Sequence, residues 1–492
     1  MGASYPGTGK ARFPGNWVCL AFLALTALAG CSLAPPYQRP AAELPSQWVE
    51  TPAQSAVAID ETWWTLYRDP VLDRLVNEAL ANNHDLALAA ARVDEARAGL
   101  RIANAAHLPT VDATFDAART RSARDGSVPL PLGTPLERSS FTASVNVAYE
   151  LDLWGRLSGA SDAARAQLLA TAAAQDTVRI TLASQVVQFY YALIGLDEQI
   201  GVTRRTIDLR AQNLDLQKSR YAAGLTTEFN LRQLEAELQA SRAQLPALEQ
   251  RRASVEVGLS ILLGRSPRAI VSESVALTRE KGEPPLAIIP EGLPSDLLLR
   301  RPDIVDAEQR LIAANALIGV ARAALFPRIS LTGYLGSDST SLGDLMTAPA
   351  RIWQLAFGLA QPIFQGGRLR GELERVTAQE RQALAQYQKT VQVAFGEVRE
   401  ALVAQSRSRE VYAAENERVV ALRETLRLAR IRFENGLSSQ LEVIDAERNL
   451  LQAELNRVDA LRAQRAAVAD VVRTLGGGWS GLPDTTAQTN VH

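Results

Sequence analysis

RFENGLSSQLEVIDAE, residues 432–447, places a glycine inside about 110 residues that otherwise carry the pattern of unbroken helix. Glycine in a helix interior costs about 1 kcal/mol relative to alanine, so this one needs a local reason. The reason lies 212 residues upstream. RYAAGL (220–225) repeats RFENGL (432–437), Gly155 and Arg156 repeat Gly367 and Arg368, and Leu263 and Gly264 repeat Leu475 and Gly476, all at that one offset. A register without gaps over such a span marks an internal duplication.

A second offset, 218, sets DLALAAARVDEARAGLRIANAAHLPTV (85–111) on DIVDAEQRLIAANALIGVARAALFPRI (303–329). Asp85 then matches Asp303, Arg92 matches Arg310 and Pro109 matches Pro327. The six-residue difference between the registers falls in the Pro/Gly/Ser-rich piece SARDGSVPLPLGTPLERSS, as an insertion in an exposed loop tip would. Each copy predicts one order: a helix of about 25 residues stopped by proline, two short segments around a loop, a very long helix, a glycine and a shorter helix.

The short segments alternate with a period of two. FTASVNVAYELD (141–152) sets Phe141, Ala143, Val145, Val147, Tyr149 and Leu151 against Thr142, Ser144, Asn146, Ala148, Glu150 and Asp152. TVDATFDA (110–117), RISLTGYL (328–335) and WQLAFGLAQPI (353–363) repeat this less cleanly. Alternation alone fits a tilted membrane strand or a half-buried soluble sheet equally well. The long segments carry a period of seven. From Leu384 the series runs through Val391, Val398, Gln405, Tyr412, Val419, Leu426 and Phe433; the first copy has Val186, Leu193, Ile200, Ile207, Leu214 and Tyr221. Such a repeat predicts helices supercoiled on neighbours, and residues 156–222 as one helix would be roughly 100 Å long.

Four strands cannot close a barrel, for which about eight is the smallest packed number. An open sheet edge is forbidden in lipid. Membrane strands would therefore be shared between chains: two chains give eight strands and a filled interior, three give twelve and room for a lumen.

The first 30 residues read as a signal peptide. Lys10 and Arg12 precede a 13-residue apolar run (17–29), too short for a spanning helix, which needs roughly 20 residues. The run ends in LAGC (28–31), which resembles a lipobox and makes Cys31 the candidate for lipidation, with Ser32 after it implying the outer membrane. Cleavage before Cys31 removes two bases of 52 and none of the 54 acids, leaving a formal charge of −4. No global nucleic-acid signature and no internal disulfide follow from such a chain. Three histidines (His84, His107, His492) without HExxH or paired-cysteine spacing suggest no transition-metal site, and no cofactor is expected. GGGWSG (476–481) reads as a helix end rather than a nucleotide loop. Methionine occurs only at Met1 and Met346, which argues against a soft-metal path. No nucleophilic triad is arranged, so an enzyme is not expected.

CSLAPPYQRP (31–40), WWTLYRDPVLDRLVNEALANNHDL (63–86), LPSDLLLRRPDIVDAEQRLIAANALIGVARAALFPRISLTGYLG (293–336) and the paired Arg-aromatic-x-x-Gly turns together resemble the outer-membrane efflux proteins of the TolC family, in their lipidated OprM/NodT branch. The resemblance implies a mainly α fold with a membrane β-barrel: a trimer with four strands per chain, twelve in total, continuing into a long α-helical barrel with a mixed equatorial belt. It implies these divisions: signal peptide 1–30, N-terminal segment and belt 31–82, first repeat 83–264, equatorial linker 265–300, second repeat 301–476 and tail 477–492. The function implied is a passive exit duct of a tripartite efflux pump for small molecules such as drugs or toxic compounds. Its partners would be two further copies of the chain, a periplasmic adaptor, an inner-membrane pump of the resistance-nodulation-division class and outer-membrane lipid, but no nucleic acid. The alternatives are a type I secretion duct for a polypeptide and a structural coiled-coil lipoprotein.

In this frame Gly224 and Gly436 turn two hairpins at the end farthest from the outer membrane. Arg220, Tyr221, Leu225, Arg432, Phe433 and Leu437 become tip residues facing the adaptor; the arginines equally suit solvated last turns, where the helix dipole favours cations. Glu442 and Asp445, spaced i, i+3, could serve only the helix N-terminus. In the family, however, acids six and nine positions after this glycine line the closed periplasmic mouth. Asn230 stands at the first-copy position of Glu442 and would make the ring less acidic. Ser438 stands where some members have arginine, so a locking pair is in doubt.

Overall fold

A computed structural model describes residues 33–41, 60–124, 131, 133–272, 274–275, 301–479 and 481 of the 492. The signal peptide, Cys31, most of the 265–300 linker and nearly all of the tail lie outside the described residues. A 3-10 turn, Trp63–Tyr67, comes first. Helix α1 is Pro70–Asn82, α2 His84–Ala105, α3 Arg156–Ala222, α4 Glu228–Leu262, α5 Pro267–Ser272, α6 Pro302–Ala323, α7 Arg368–Glu434 and α8 Gln440–Thr474. Strand β1 is Thr110–Arg121, β2 Glu137–Leu151, β3 Arg328–Ser339 and β4 Arg351–Ala360.

The duplication is kept to the residue: α2 and α6 have 22 residues each, α3 and α7 have 67, α4 and α8 have 35. Helices α2 and α6 are shorter than the expected 25. They stop four residues before Pro109 and Pro327, because the residue before a proline is forced out of the helical region. After α2 the chain closes with tight bonds such as Leu108 N to Ala105 O (3.0 Å). Strands β1 and β2 run farther than their alternation suggested, held at their loop end by Arg119 to Glu137 (2.6 Å). Strand β4 stops at Ala360 rather than 363, since Pro362 has no N–H to offer a ladder.

The chain forms two compact units. The first, Met1–Arg39, Ala96–Leu168 and Gln309–Leu384, holds the antiparallel sheet in the order β1-β2-β3-β4. Its register sorts the two faces. One row across all four strands is Asp112, Asn146, Tyr334 and Gln354, and Thr114 Oγ1 meets Ser144 Oγ at 3.1 Å on the same face. The other face carries Val111, Phe115, Val145, Val147, Leu335, Trp353, Leu355, Phe357 and Leu359, all exposed. Nine large apolar side chains on one exposed face are costly in water and suited to hydrocarbon. Among the described residues no helix is long and apolar enough to cross a membrane.

Where β2 becomes α3, Asp152 accepts from the backbone N–H of Leu157 (3.1 Å) and Ser158 (2.7 Å), capping a 67-residue helix. Trp154 stacks on Phe326 at 4.9 Å and donates to the Pro327 carbonyl (2.8 Å), fixing that corner against the start of β3.

The second unit, Pro40–Glu95, Leu169–Glu308 and Ala385–His492, holds the largest core. Trp63, Leu72, Leu75, Val186, Tyr190, Tyr191, Leu193, Leu259, Val471 and Val472 are buried there. Asp69 caps α1 through Val71 N (3.0 Å) and accepts from Tyr190 (2.7 Å), while Arg465 lies over the Tyr191 ring at 5.0 Å. Most of the period-seven positions are buried, including the polar Gln405, whereas Ile207, Leu384, Tyr412 and Phe433 are partly exposed and Tyr221 at the turn is exposed.

One staple occurs in both copies. The residue before the first helix bonds to a carbonyl near the end of the hairpin's return helix: Asn83 Nδ2 to Leu262 O (3.0 Å), and Arg301 Nη1 to Thr474 O (2.9 Å). In the second copy the staple is charged. Arg301 is buried and also meets Asp303 (2.6 Å) and Glu397 (2.9 Å). Truncating a buried ion-pair member leaves its partners uncompensated, which costs about 3–5 kcal/mol. Arg301→Ala should therefore lower the thermal unfolding midpoint of the purified protein well beyond Asn83→Ala, which removes neutral hydrogen bonds worth about 0.5–1.5 kcal/mol each.

Candidate functional site

The two glycine turns share one geometry. Gly224 and Gly436 take φ of +74° and +70°, values that side-chain-bearing residues rarely adopt. Gly224 N donates to Tyr221 O (2.9 Å) and Leu225 N to Arg220 O (2.8 Å); Gly436 N donates to Phe433 O (3.0 Å) and Leu437 N to Arg432 O (2.8 Å). This pair of bonds is the Schellman motif, in which the residue after the glycine ordinarily packs back on the helix. Here the position it would pack on is arginine in both copies. Leu225 and Leu437 are instead 76% and 71% exposed.

The two tips differ in their aromatics. Phe433 packs against Leu426, Ala429, Val443 and Ala446, whereas Tyr221 stays exposed beside Arg220. Arg432 bends over its own turn, 3.4 Å from the Leu437 carbonyl and 4.0 Å from Glu442. Thr227 caps α4 by accepting from Asn230 N (3.4 Å), and the Asn230 amide reaches Thr226 Oγ1 (3.3 Å). Asn230 is thereby tied to its own turn.

Glu442 and Asp445 are both about half exposed on the first turns of α8, where acids favour the helix N-terminus. The residues between and beside them reach the other hairpin. Ile444, buried to 2%, inserts among Leu214, Leu231, Leu234 and Leu238 of α3 and α4. One turn on, Arg448 grips the nearly buried carboxylate of Glu237 on α4, with Nε at 2.9 Å, and approaches Asp445 at 3.7 Å. Glu237 is held from its other side by Arg210 of α3 (3.3 Å), which also donates to Ser241 Oγ (2.6 Å) and the Glu237 carbonyl (2.8 Å). The hydrogen bond from Arg448, opposed by burial and supported by the charge of Arg210, holds the Glu237 carboxyl below its ordinary value.

Sequence reasoning missed Arg448, Glu237 and Arg210. Two signals were present. Thr203, Arg210 and Gln217 recur every seven residues and are all buried, which marks a polar seam in α3. Their twins at 415, 422 and 429 are Glu415, Leu422 and Ala429, so the seam belongs to one copy only. Within this chain the two hairpins are paired through Arg448.

The family model described as "Outer membrane efflux protein" matches residues 75–265 and 293–477. The toluene efflux pump outer membrane protein TtgI of Pseudomonas putida is 36% identical over 470 residues, covering 94% of this chain and 98% of that one. The outer membrane protein OprJ of Pseudomonas aeruginosa is 36% identical over 477 residues, covering 95% and 97%. Among solved structures, the Campylobacter jejuni CmeC outer membrane channel superposes with a TM-score of 0.87 at 26% identity, covering 93% of this chain and 97% of that one. With the four-stranded sheet, the duplicated long hairpins and these matches, the chain belongs to the outer membrane efflux protein family and is an outer-membrane component of an efflux pump.

Proposed function

We propose that three copies of this chain form a passive exit duct for small molecules, with the hairpin turns as its periplasmic mouth. The observation that carries the reading is the sheet. Its apolar face is exposed, its edge strands β1 and β4 are each paired on one side only among the described residues, and β2 leads into a 67-residue helix. Three such sheets supply twelve strands, enough to leave a lumen. A duct of this kind needs an energy source elsewhere, so a periplasmic adaptor and an inner-membrane pump of the resistance-nodulation-division class complete the assembly. Cys31 in its lipobox is the acylation site. The toluene efflux pump relative supports small organic cargo, and a duct built from positioning rather than reacting groups is not an enzyme.

At the mouth, Glu442 and Asp445 from three chains make a cation-attracting constriction whose mutual repulsion favours opening. Arg448 opposes it by screening Asp445 while tethering α8 to Glu237. The exposed Leu225 and Leu437, flanked by Arg220 and Arg432, offer the adaptor a small apolar knob in a cationic setting.

Four outcomes test this reading. In planar bilayers the double variant Glu442→Gln with Asp445→Asn should lose cation preference and block by divalent ions; a duct whose selectivity is unchanged would refute the acidic mouth. Arg448→Ala removes a half-exposed charge pair worth about 1 kcal/mol, so the open probability should rise about fivefold. Because the pKa of Glu237 is depressed in the fold, its tether is at full strength above its unfolded value of about 4.3 and is lost as pH falls through the lower folded value. In the Glu442→Gln with Asp445→Asn background, where acid no longer relieves the repulsion at the mouth, acid-induced opening should accordingly begin only below the ordinary glutamate range and vanish when Arg448→Ala is added. Leu225→Asp with Leu437→Asp should weaken adaptor capture in pull-down assays and leave single-channel conductance unchanged.

A further inference from the structure

The apolar face of the sheet carries the odd-numbered residues of every strand, since the ladders run without a bulge and side chains alternate. Only four of these residues are charged: Arg119 and Arg121 on β1, Glu137 on β2 and Arg351 on β4. All four stand at the loop end of the sheet, where β1 leads to β2 and β3 to β4. None stands at the end that joins the helices. Each strand gives up its apolar character at the loop end. Strand β1 passes from Ala117 to Arg119 and Arg121, and β2 reads back from Phe141 to Ser139 and Glu137. On β4 the change comes between Trp353 and Arg351, whose ladder partner is Ser337. A tryptophan next inside the first cation is the order expected at a membrane surface, with the indole at headgroup depth.

The cations also outnumber their acid. Arg119 and Arg121 are 76% and 73% exposed and share Glu137, at 2.6 and 3.6 Å. Arg351 is exposed and has no ion pair among the described residues. Exposed pairs are weak, so a phosphate can displace Glu137 from either guanidinium and take its place with two parallel N–H···O bonds. We propose that Arg119, Arg121 and Arg351 form a cationic rim that binds the phosphate groups of the glycolipid in the outer leaflet of the outer membrane. The proposal rests on the duct reading, which puts the long helices in the periplasm and therefore the loop end in the outer leaflet. The lipid's acyl chains lie on the apolar face next to the rim, so charge and apolar contact hold one molecule together. Where three sheets close into one barrel, β4 of one chain lies beside β1 of the next. Arg351 then reaches the seam that Arg119 and Arg121 border, and the lipid bridges the two strands that the single sheet leaves at its edges.

The test titrates bis-phosphorylated lipid A onto the full-length protein in micelles of a neutral detergent and reads affinity by native mass spectrometry. The parent should bind it about tenfold tighter than the dephosphorylated form, and a large excess of inorganic phosphate should leave that binding unchanged. Arg119→Gln with Arg121→Gln should weaken it about tenfold, and Arg351→Gln about threefold. Glu137→Gln decides between a binding and a structural role, because it breaks the same ion pairs as the arginine changes but frees two cations. It should tighten lipid binding about threefold. Weaker binding in Glu137→Gln as well would mean that the pairs only hold the strand ends, and would overturn the rim. Equal affinity for the two forms of lipid A would overturn it too, and displacement by inorganic phosphate would overturn the lipid assignment. Orientation is read separately, by labelling the exposed position 122 as Ser122→Cys on intact cells with a membrane-impermeant maleimide. Labelling only after the outer membrane is opened would refute the duct reading and the outer-leaflet site with it; normal labelling with a failed titration would strike the site alone.

Discussion

A backbone N–H or C=O left unpaired in hydrocarbon costs several kcal/mol, and the fold of this chain is arranged around that constraint. Its four strands have register and length for a membrane, at 10 to 15 residues each, and an apolar face left exposed among the described residues. What they lack is closure. An edge such as β4, with Trp353, Leu355 and Phe357 exposed on its face, is an aggregation hazard unless another chain pairs with it. Oligomerisation is thus a condition of stability for the sheet, and a lumen is its by-product.

Duplication supplies the material and divergence supplies the function. Equal helix lengths in both copies keep the hairpins matched, and the paired staples Asn83 to Leu262 and Arg301 to Thr474 close each copy in the same way. Where the copies depart from each other the structure has a use for the difference. Arg210 and Ser241 in the first copy correspond to Leu422 and Ala453 in the second, so the polar setting that holds Glu237 for Arg448 belongs to the first hairpin. Gly319 against Arg101 is the same kind of departure, since a Cβ at position 319 would stand 2.7 Å from Ala34 Cβ.

Most of the architecture was legible because it rests on periodicity. A period of two gave the strands, a period of seven gave the long helices, and the two glycines gave the turns, since each signal is carried by many residues or by a backbone conformation few residues adopt. The strand ends were less legible: the pairing of Arg119 with Glu137 lengthens β1 and β2 through a contact between residues 18 apart, which alternation does not encode. The helix α1 hid in a segment assigned only to a mixed belt, because its 13 residues, begun by Pro70, owe their order to burial against α3 and α8. At the turns, position could be read but partnership could not. Glu442 and Asp445 are visible as acids at fixed spacing, whereas Glu237 and Arg448 are 211 residues apart and meet only through the packing of the two hairpins.

The crossing of those hairpins shows how a joint can be firm and still release. Ile444, buried among four leucines, contributes about 1.5–3 kcal/mol, and because apolar contact is non-directional it survives small rotations of α8. The Arg448 pair is different. The Arg448 side chain is 56% exposed, so the pair is worth about 1 kcal/mol or less, yet its geometry is specific to one register of the helices. The joint thus combines an apolar contact with a weak, directional one. Had the latch been as buried as Glu237 is on its Arg210 side, breaking it would cost about 3–5 kcal/mol. Burial is asymmetric across Glu237, tight toward Arg210 of its own hairpin and open toward Arg448 of the other, so the contact that joins the two hairpins is the weaker of its two ion pairs.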